Sequence, residues 1–130
     1  YPEDFGAIVC GVPLLDMRRY TRLSAGASWI AEYGDPDDPA DWEFIRTFSP
    51  YHLIDPARTY PPSLIYAATS DDRVGPVQAR KMAARLREET DAEVRYLEPV
   101  EGGHAGTIDN AATAALHATI HAFLADALRL

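Results

Sequence analysis

Three short apolar runs, each followed by a stretch with helical spacing, constrain this chain more than any other feature. Residues 7–12 form the first, opening Ala7-Ile8-Val9-Cys10 between Gly6 and the turn at Gly11-Val12-Pro13. Ser63-Leu64-Ile65-Tyr66-Ala67-Ala68-Thr69-Ser70 is the second, and residues 92–97 are the third. Their length and their Val and Ile content suit buried strands. Between them lie helical patterns. Residues 24–32 and 40–48 predict two short helices, the second with Asp41 and Glu43 near its N-terminus and Ser49-Pro50 at its end. Residues 76–90 predict a helix with Pro76 in its first turn and apolar positions at Val77, Ala79, Met82, Ala83 and Leu86. Residues 107–128 predict a long helix with Ile108, Ala112, Ala115, Leu116, Thr119, Ile120, Phe123 and Ala127 on one side. Gly34-Asp35-Pro36-Asp37-Asp38-Pro39 and the Pro-rich residues 55–62 are loops.

Strand, helices, strand, helix, strand, helix is the order of an α/β fold with a parallel sheet and helical crossovers. Three strands make a thin sheet, because parallel sheets are normally wider and covered on both faces. The expected fold is therefore the C-terminal portion of a doubly wound, mainly parallel sheet whose front strands are missing. The chain begins at Tyr1 rather than Met, and it is expected to be a piece of a longer protein, with any targeting segment out of view. Its 130 residues are one domain's worth.

Charge and cysteine usage exclude several classes. A net charge of −8 lacks the basic footprint of a nucleic-acid binder. The single cysteine, Cys10, rules out an internal disulfide or a multi-cysteine metal site, and its apolar run predicts a buried thiol. The most apolar stretch, residues 111–128, is interrupted by His117, His121 and Asp126, so no membrane span is expected.

Ligands of open α/β sheets bind beyond the carboxyl ends of the strands. Asp71 and Asp72 follow the second run there, and His104 follows the third, 33 residues after Asp71. An acid after one strand and a histidine after the next is the back half of the order nucleophile, acid, histidine found in α/β-hydrolases. The acid orients the imidazole and stabilises its cation, and the imidazole shuttles the nucleophile's proton. A solvated or helix-capping Asp-Asp-Arg and a surface histidine after a glycine turn fit the same residues.

At these residues the sequence resembles the prolyl oligopeptidase family of serine peptidases. Thr69-Ser70-Asp71-Asp72-Arg73-Val74 is similar to the family's acid loop, and Glu101-Gly102-Gly103-His104-Ala105-Gly106 to its histidine loop. The blocks Gly11-Val12-Pro13-Leu14-Leu15-Asp16-Met17, Ala27-Ser28-Trp29-Ile30-Ala31-Glu32-Tyr33-Gly34 and Phe48-Ser49-Pro50-Tyr51-His52 resemble the run between nucleophile helix and acid strand. The resemblance covers nearly the whole chain. It implies an α/β-hydrolase catalytic domain in which Asp71 is the triad acid and His104 the base. It also implies that Arg73 binds a substrate carbonyl, that Trp29 stacks on a substrate proline ring, and that Tyr33 and Val74 line the same pocket.

Two departures stand out. Ala105 follows His104 where the family often has Gly-His-Gly, and no Gly-x-Ser-x-Gly nucleophile elbow occurs in these residues. Residues 1–130 are thus expected to be the C-terminal segment of a peptidase catalytic domain, without the nucleophile, the oxyanion donors or a propeller domain. Ser28 in Gly26-Ala27-Ser28-Trp29-Ile30 lacks the second glycine and the preceding strand of an elbow. His117 and His121 have zincin spacing without the glutamate, and the acidic loop at 35–38 lacks the glycine and distal glutamate of a calcium loop. No metal and no cofactor are expected.

The function implied is hydrolysis of short peptides on the carboxyl side of proline through an acyl-enzyme. The partners implied are a proline-containing peptide and the rest of the catalytic domain, with no nucleic acid and no membrane. The isolated chain is expected to be inactive. An acylaminoacyl-peptidase or esterase, or a truncated non-catalytic binding module, are the alternatives.

Overall fold

The computed structural model describes residues 1–104 and 107–130; Ala105 and Gly106, on which part of the histidine-loop resemblance rests, lie outside them. Three parallel strands, β1 (Ile8–Gly11), β2 (Ser63–Tyr66) and β3 (Val94–Leu97), form one sheet in the order β1-β2-β3. Ile8 is in register with Ser63, and Ser63 with Val94. The parallel α/β organisation read from the sequence is therefore present, with each strand shorter than its apolar run. Residues 67–70 continue beyond the carboxyl end of β2, where the Ala67 N–H donates to the Leu97 carbonyl of β3 and the Thr69 N–H to the Pro99 carbonyl.

Helices α1 (Ile30–Tyr33) and α2 (Pro39–Ile45) lie in the crossover from β1 to β2. The stretch expected as one helix over 24–32 splits into a tight 3-10 turn, Gly26–Trp29, followed by the single turn of α1. Gly26 allows the split. Its hydrogen faces the Tyr20 carbonyl, and a Cβ there would lie 1.8 Å from that oxygen. Asp38 caps α2 by accepting from the N–H groups of Ala40 and Asp41, satisfying two donors that the helix leaves free.

Helix α3 (Pro76–Glu89) covers one sheet face, where Ala79, Met82, Ala83 and Leu86 pack with Ile65, Ala67 and Val94. One expected inward position is corrected. Val77 is 38% exposed, and the next residue, Gln78, is buried instead. The helical turn that points Ala79, Met82 and Leu86 inward also brings in Gln78, and backbone donors meet its amide oxygen there.

Helix α4 (Asn110–Leu128), capped by Asp109, lies on the opposite face. Arg95, the strand neighbour of Val94 and so on the other side, stacks over Phe123 at 5.5 Å and pairs with Asp126 at 2.5 Å. The inward stripe is narrower than expected. Ala112, Leu116, Ile120 and Ala127 are half-buried and Phe123 is buried, but Ala115 and Thr119 face outward and Ile108 precedes the helix. The expectation about membrane length is also corrected. By length and composition alone α4 is long and apolar enough to cross a membrane, with a mean hydropathy of 1.2, because its many alanines offset His117, His121 and Asp126.

Candidate active site

The carboxyl ends of β2 and β3 are stitched together beyond the sheet. The Thr69 N–H donates to the Pro99 carbonyl at 2.9 Å, the Thr69 hydroxyl to Glu98 at 2.8 Å, and the Ser70 hydroxyl to the Val100 carbonyl at 3.1 Å. Arg80 of α3 and the Tyr96 hydroxyl also bond Glu98. The Arg80 guanidinium, ahead of the other contacts, holds the Glu98 carboxyl down at about 2, so this clasp stays charged.

The clasp brings the two loops into one site. Asp71 Oδ2 lies 3.3 Å from His104 Nδ1. The Asp71 carboxylate has no solvent-exposed surface, whereas the His104 side chain is 33% exposed. Asp71 Oδ1 accepts the N–H groups of Arg73 at 3.0 Å and Val74 at 3.1 Å, which fixes the carboxylate plane. Burial alone would raise its pKa. The N–H donors of Val74, Arg73 and Gly75, together with the imidazole, outweigh burial and hold it below the usual carboxylate value. Asp72 is exposed, so the structure separates the two adjacent aspartates: Asp71 faces the histidine and Asp72 faces solvent.

This pair can orient an imidazole and stabilise its protonated form, leaving Nε2 on the far side of the ring for a proton-transfer partner. No serine hydroxyl bonds the His104 ring among the described residues. Ser28 donates to the Ala25 carbonyl at 2.7 Å on an exposed turn.

The loop after β1 supplies the rest of the surroundings. The Ala25 N–H donates to the Arg73 carbonyl at 3.0 Å, and Ser24 Oγ fills the space beside Gly75, whose φ of +80° suits glycine. Docked in this way, the Trp29 ring faces the Arg73 guanidinium at 5.9 Å. Arg73 is exposed and makes no ion pair among the described residues. Trp29 and Tyr33 are half-buried against Met17, Tyr20 and Ile45, and Tyr33 meets Tyr20 edge-on at 5.9 Å. Val74 is 6% exposed, so its N–H rather than its side chain is its main contribution.

A second polar cluster has no motif in the sequence. Asp16, Ser49 and Gln78 are buried together with half-buried His52. Ser49 Oγ is 2.8 Å from His52 Nδ1, and His52 Nε2 is 3.8 Å from Asp16 Oδ1. The grouping imitates a Ser-His-Asp triad, but Ser49 has no exposed surface and its oxygen accepts the Met17 N–H. No substrate reaches it. A lone carboxylate in Leu14-Leu15-Asp16-Met17 was the available sequence signal.

No group of three or more potential metal ligands occurs among the described residues. An apolar hollow of about 640 Å³ lies between Phe5, Ile8, Leu53, Ile54 and Met82, away from the Asp71–His104 pair. Its lining is mainly apolar and also includes Cys10, Arg58 and Tyr60.

A parallel sheet bearing an oriented acid and a histidine at the carboxyl ends of adjacent strands is the α/β-hydrolase arrangement. The model of the prolyl oligopeptidase family matches residues 1–130. A solved post-proline cleaving enzyme from Rickettsia typhi superimposes with a TM-score of 0.94 at 36% identity, over 99% of this chain and 19% of that one. A solved prolyl endopeptidase superimposes at 0.91 and 38% identity, over 98% of this chain and 19% of its own. An uncharacterized peptidase of Sinorhizobium fredii is 54% identical over 104 residues, 80% of this chain and 14% of that protein. The chain belongs to the prolyl oligopeptidase family, and it spans less than a fifth of the length of these relatives.

Proposed function

We propose that the full-length protein carrying these residues is a serine peptidase that cleaves short peptides on the carboxyl side of proline, and that residues 1–130 are the C-terminal segment of its catalytic domain. The observation that carries this reading is the buried Asp71 carboxylate, held by two backbone donors and turned towards Nδ1 of a half-exposed His104. Asp71 is the acid and His104 the base. His104 Nε2 takes the proton of a serine hydroxyl outside these residues as that oxygen bonds to the scissile carbonyl carbon. The same nitrogen then returns the proton to the leaving amine, and water repeats the sequence to release the acyl group.

Trp29 offers a flat apolar face to a proline ring, with Tyr33 beside it and the largely buried Val74 at the pocket's base, and Arg73 donates to a substrate carbonyl. The isolated chain is inactive, because it lacks the nucleophile and the oxyanion donors.

A substrate panel on the full-length protein tests the specificity. Peptides with proline before the scissile bond should be turned over at least tenfold better in kcat/KM than acyl-blocked peptides lacking proline or short esters. Preference for blocked peptides would make it an acylaminoacyl-peptidase, preference for esters an esterase, and no hydrolysis of any would leave a binding module.

A further inference from the structure

Seven residues after Asp71, α3 grips the loop that follows β1. Gln78 is 1% exposed, and its Oε1 accepts the N–H groups of Leu15 at 3.2 Å and Asp16 at 2.7 Å. One turn later Lys81 forms an ion pair with the buried Asp16 carboxylate, which Arg19 also meets at 3.3 Å. Two adjacent strand ends are thereby tied through the first turns of one helix.

We propose that Gln78 is a positioning residue for Asp71: its amide oxygen fixes the start of α3, and with it the acid loop, so that the carboxylate stays within reach of His104. This rests on the reading of Asp71 and His104 given above. The loop from Asp71 to the helix start at Pro76 is short, and Asp71 Oδ1 is bound to the N–H groups of Arg73 and Val74 within it. A displacement of the first turn of α3 therefore moves the carboxylate as well. The contact has little slack. At 3.3 Å it is already at the long end for a hydrogen bond, and a few tenths of an ångström more would break it.

The side chain's own chemistry points the same way. Gln78 Nε2 is buried with no partner among the described residues. An unpaired buried amide nitrogen opposes stability, so the residue is held in place by its oxygen. Both donors to that oxygen belong to the loop that continues to Ser24, Ala25 and Trp29. The same joint thus sets the acid loop against the loop that carries the indole.

The test is made in the full-length protein, with activity expressed per active site titrated by a covalent serine inhibitor. Gln78→Met keeps the length and removes the acceptor. It should lower kcat per titrated site at least tenfold and slow fluorophosphonate labelling in parallel, since labelling needs the activated serine but not the proline pocket. Gln78→Glu keeps an acceptor oxygen but buries a second negative charge beside Asp16. It should melt at a lower temperature than wild type yet retain kcat per site within about threefold, a result that also decides the matter if the Met variant fails to fold.

The proposal is overturned if Gln78→Met keeps kcat per site within twofold, or if Gln78→Glu loses tenfold or more. Asp71→Asn in the same series separates the two readings. Full activity there refutes the assignment of the acid. Its inactivation beside an unimpaired Gln78→Met refutes only the positioning role.

Discussion

Replacing Asp71 with asparagine isolates proton logic from stability. Two backbone N–H groups, of Arg73 and Val74, converge on Asp71 Oδ1 at 3.0 and 3.1 Å. The asparagine carbonyl oxygen will occupy that position, because turning the NH2 there would set donors against two donors. The NH2 must then face His104 Nδ1 from the place now held by Oδ2, 3.3 Å away. A donor at that point accepts no proton from the ring and stabilises the tautomer protonated on Nε2. The nitrogen that should act as base then carries a proton, and the negative charge that supports the imidazolium is gone. The corresponding exchange in a Ser-His-Asp triad lowers kcat by about 10⁴, which is about 5.4 kcal/mol in the barrier. Since the two backbone bonds survive, the melting temperature should change little. Asp71→Ala, in contrast, strands the buried Val74 N–H and should cost about 1–3 kcal/mol of stability. Single-turnover and steady-state kinetics of the full-length protein on a proline peptide, with thermal melts alongside, measure both effects. A rate above a tenth of wild type for Asp71→Asn would refute the reasoning, as would an equal loss for Asp72→Asn at the exposed neighbour.

Trp29→Ala should lower kcat/KM for proline peptides by about 1–3 kcal/mol of transition-state binding and for alanine peptides by much less; equal losses would assign the indole to the packing around Met17 and Tyr20 alone. Gly11→Ala places a Cβ 2.2 Å from the Tyr66 ring across the β1–β2 pair, and chemical denaturation should show a loss of about 1–3 kcal/mol. Glu98, lowered from 4.5 to about 2, contributes stability that is fully present above its unfolded value and is lost as pH falls towards 2. The melting-temperature gap between wild type and Glu98→Gln should therefore be constant at neutral pH, narrow below about pH 4.5 and close near pH 2.

The sheet was legible because alternating apolar runs and helical stretches carry an unambiguous order, and Asp71 and His104 were legible because strand order places them at adjacent carboxyl ends. The resemblance selects Asp71 over Asp72 in the sequence; the structure adds that Asp71 is buried and accepts the N–H groups of Arg73 and Val74, while Asp72 is exposed. Gln78 is not legible as a core residue in the sequence. Helical spacing admits Val77 or Gln78 to the core, and hydrophobicity favours the valine. The outcome depends on two N–H groups of a distant loop that need an acceptor. The inward stripe of helix α4 is legible but reads too broad, because an alanine-rich surface gives little contrast between its two sides.

In the proposed function, His104 activates a serine that lies outside these residues. Labelling the full-length protein with a fluorophosphonate, followed by mass mapping of the modified peptide, tests that directly. The predicted result is stoichiometric modification of one serine outside residues 1–130, lost in His104→Ala. Modification of Ser28 or any other serine within these residues, or undiminished labelling in His104→Ala, would contradict it.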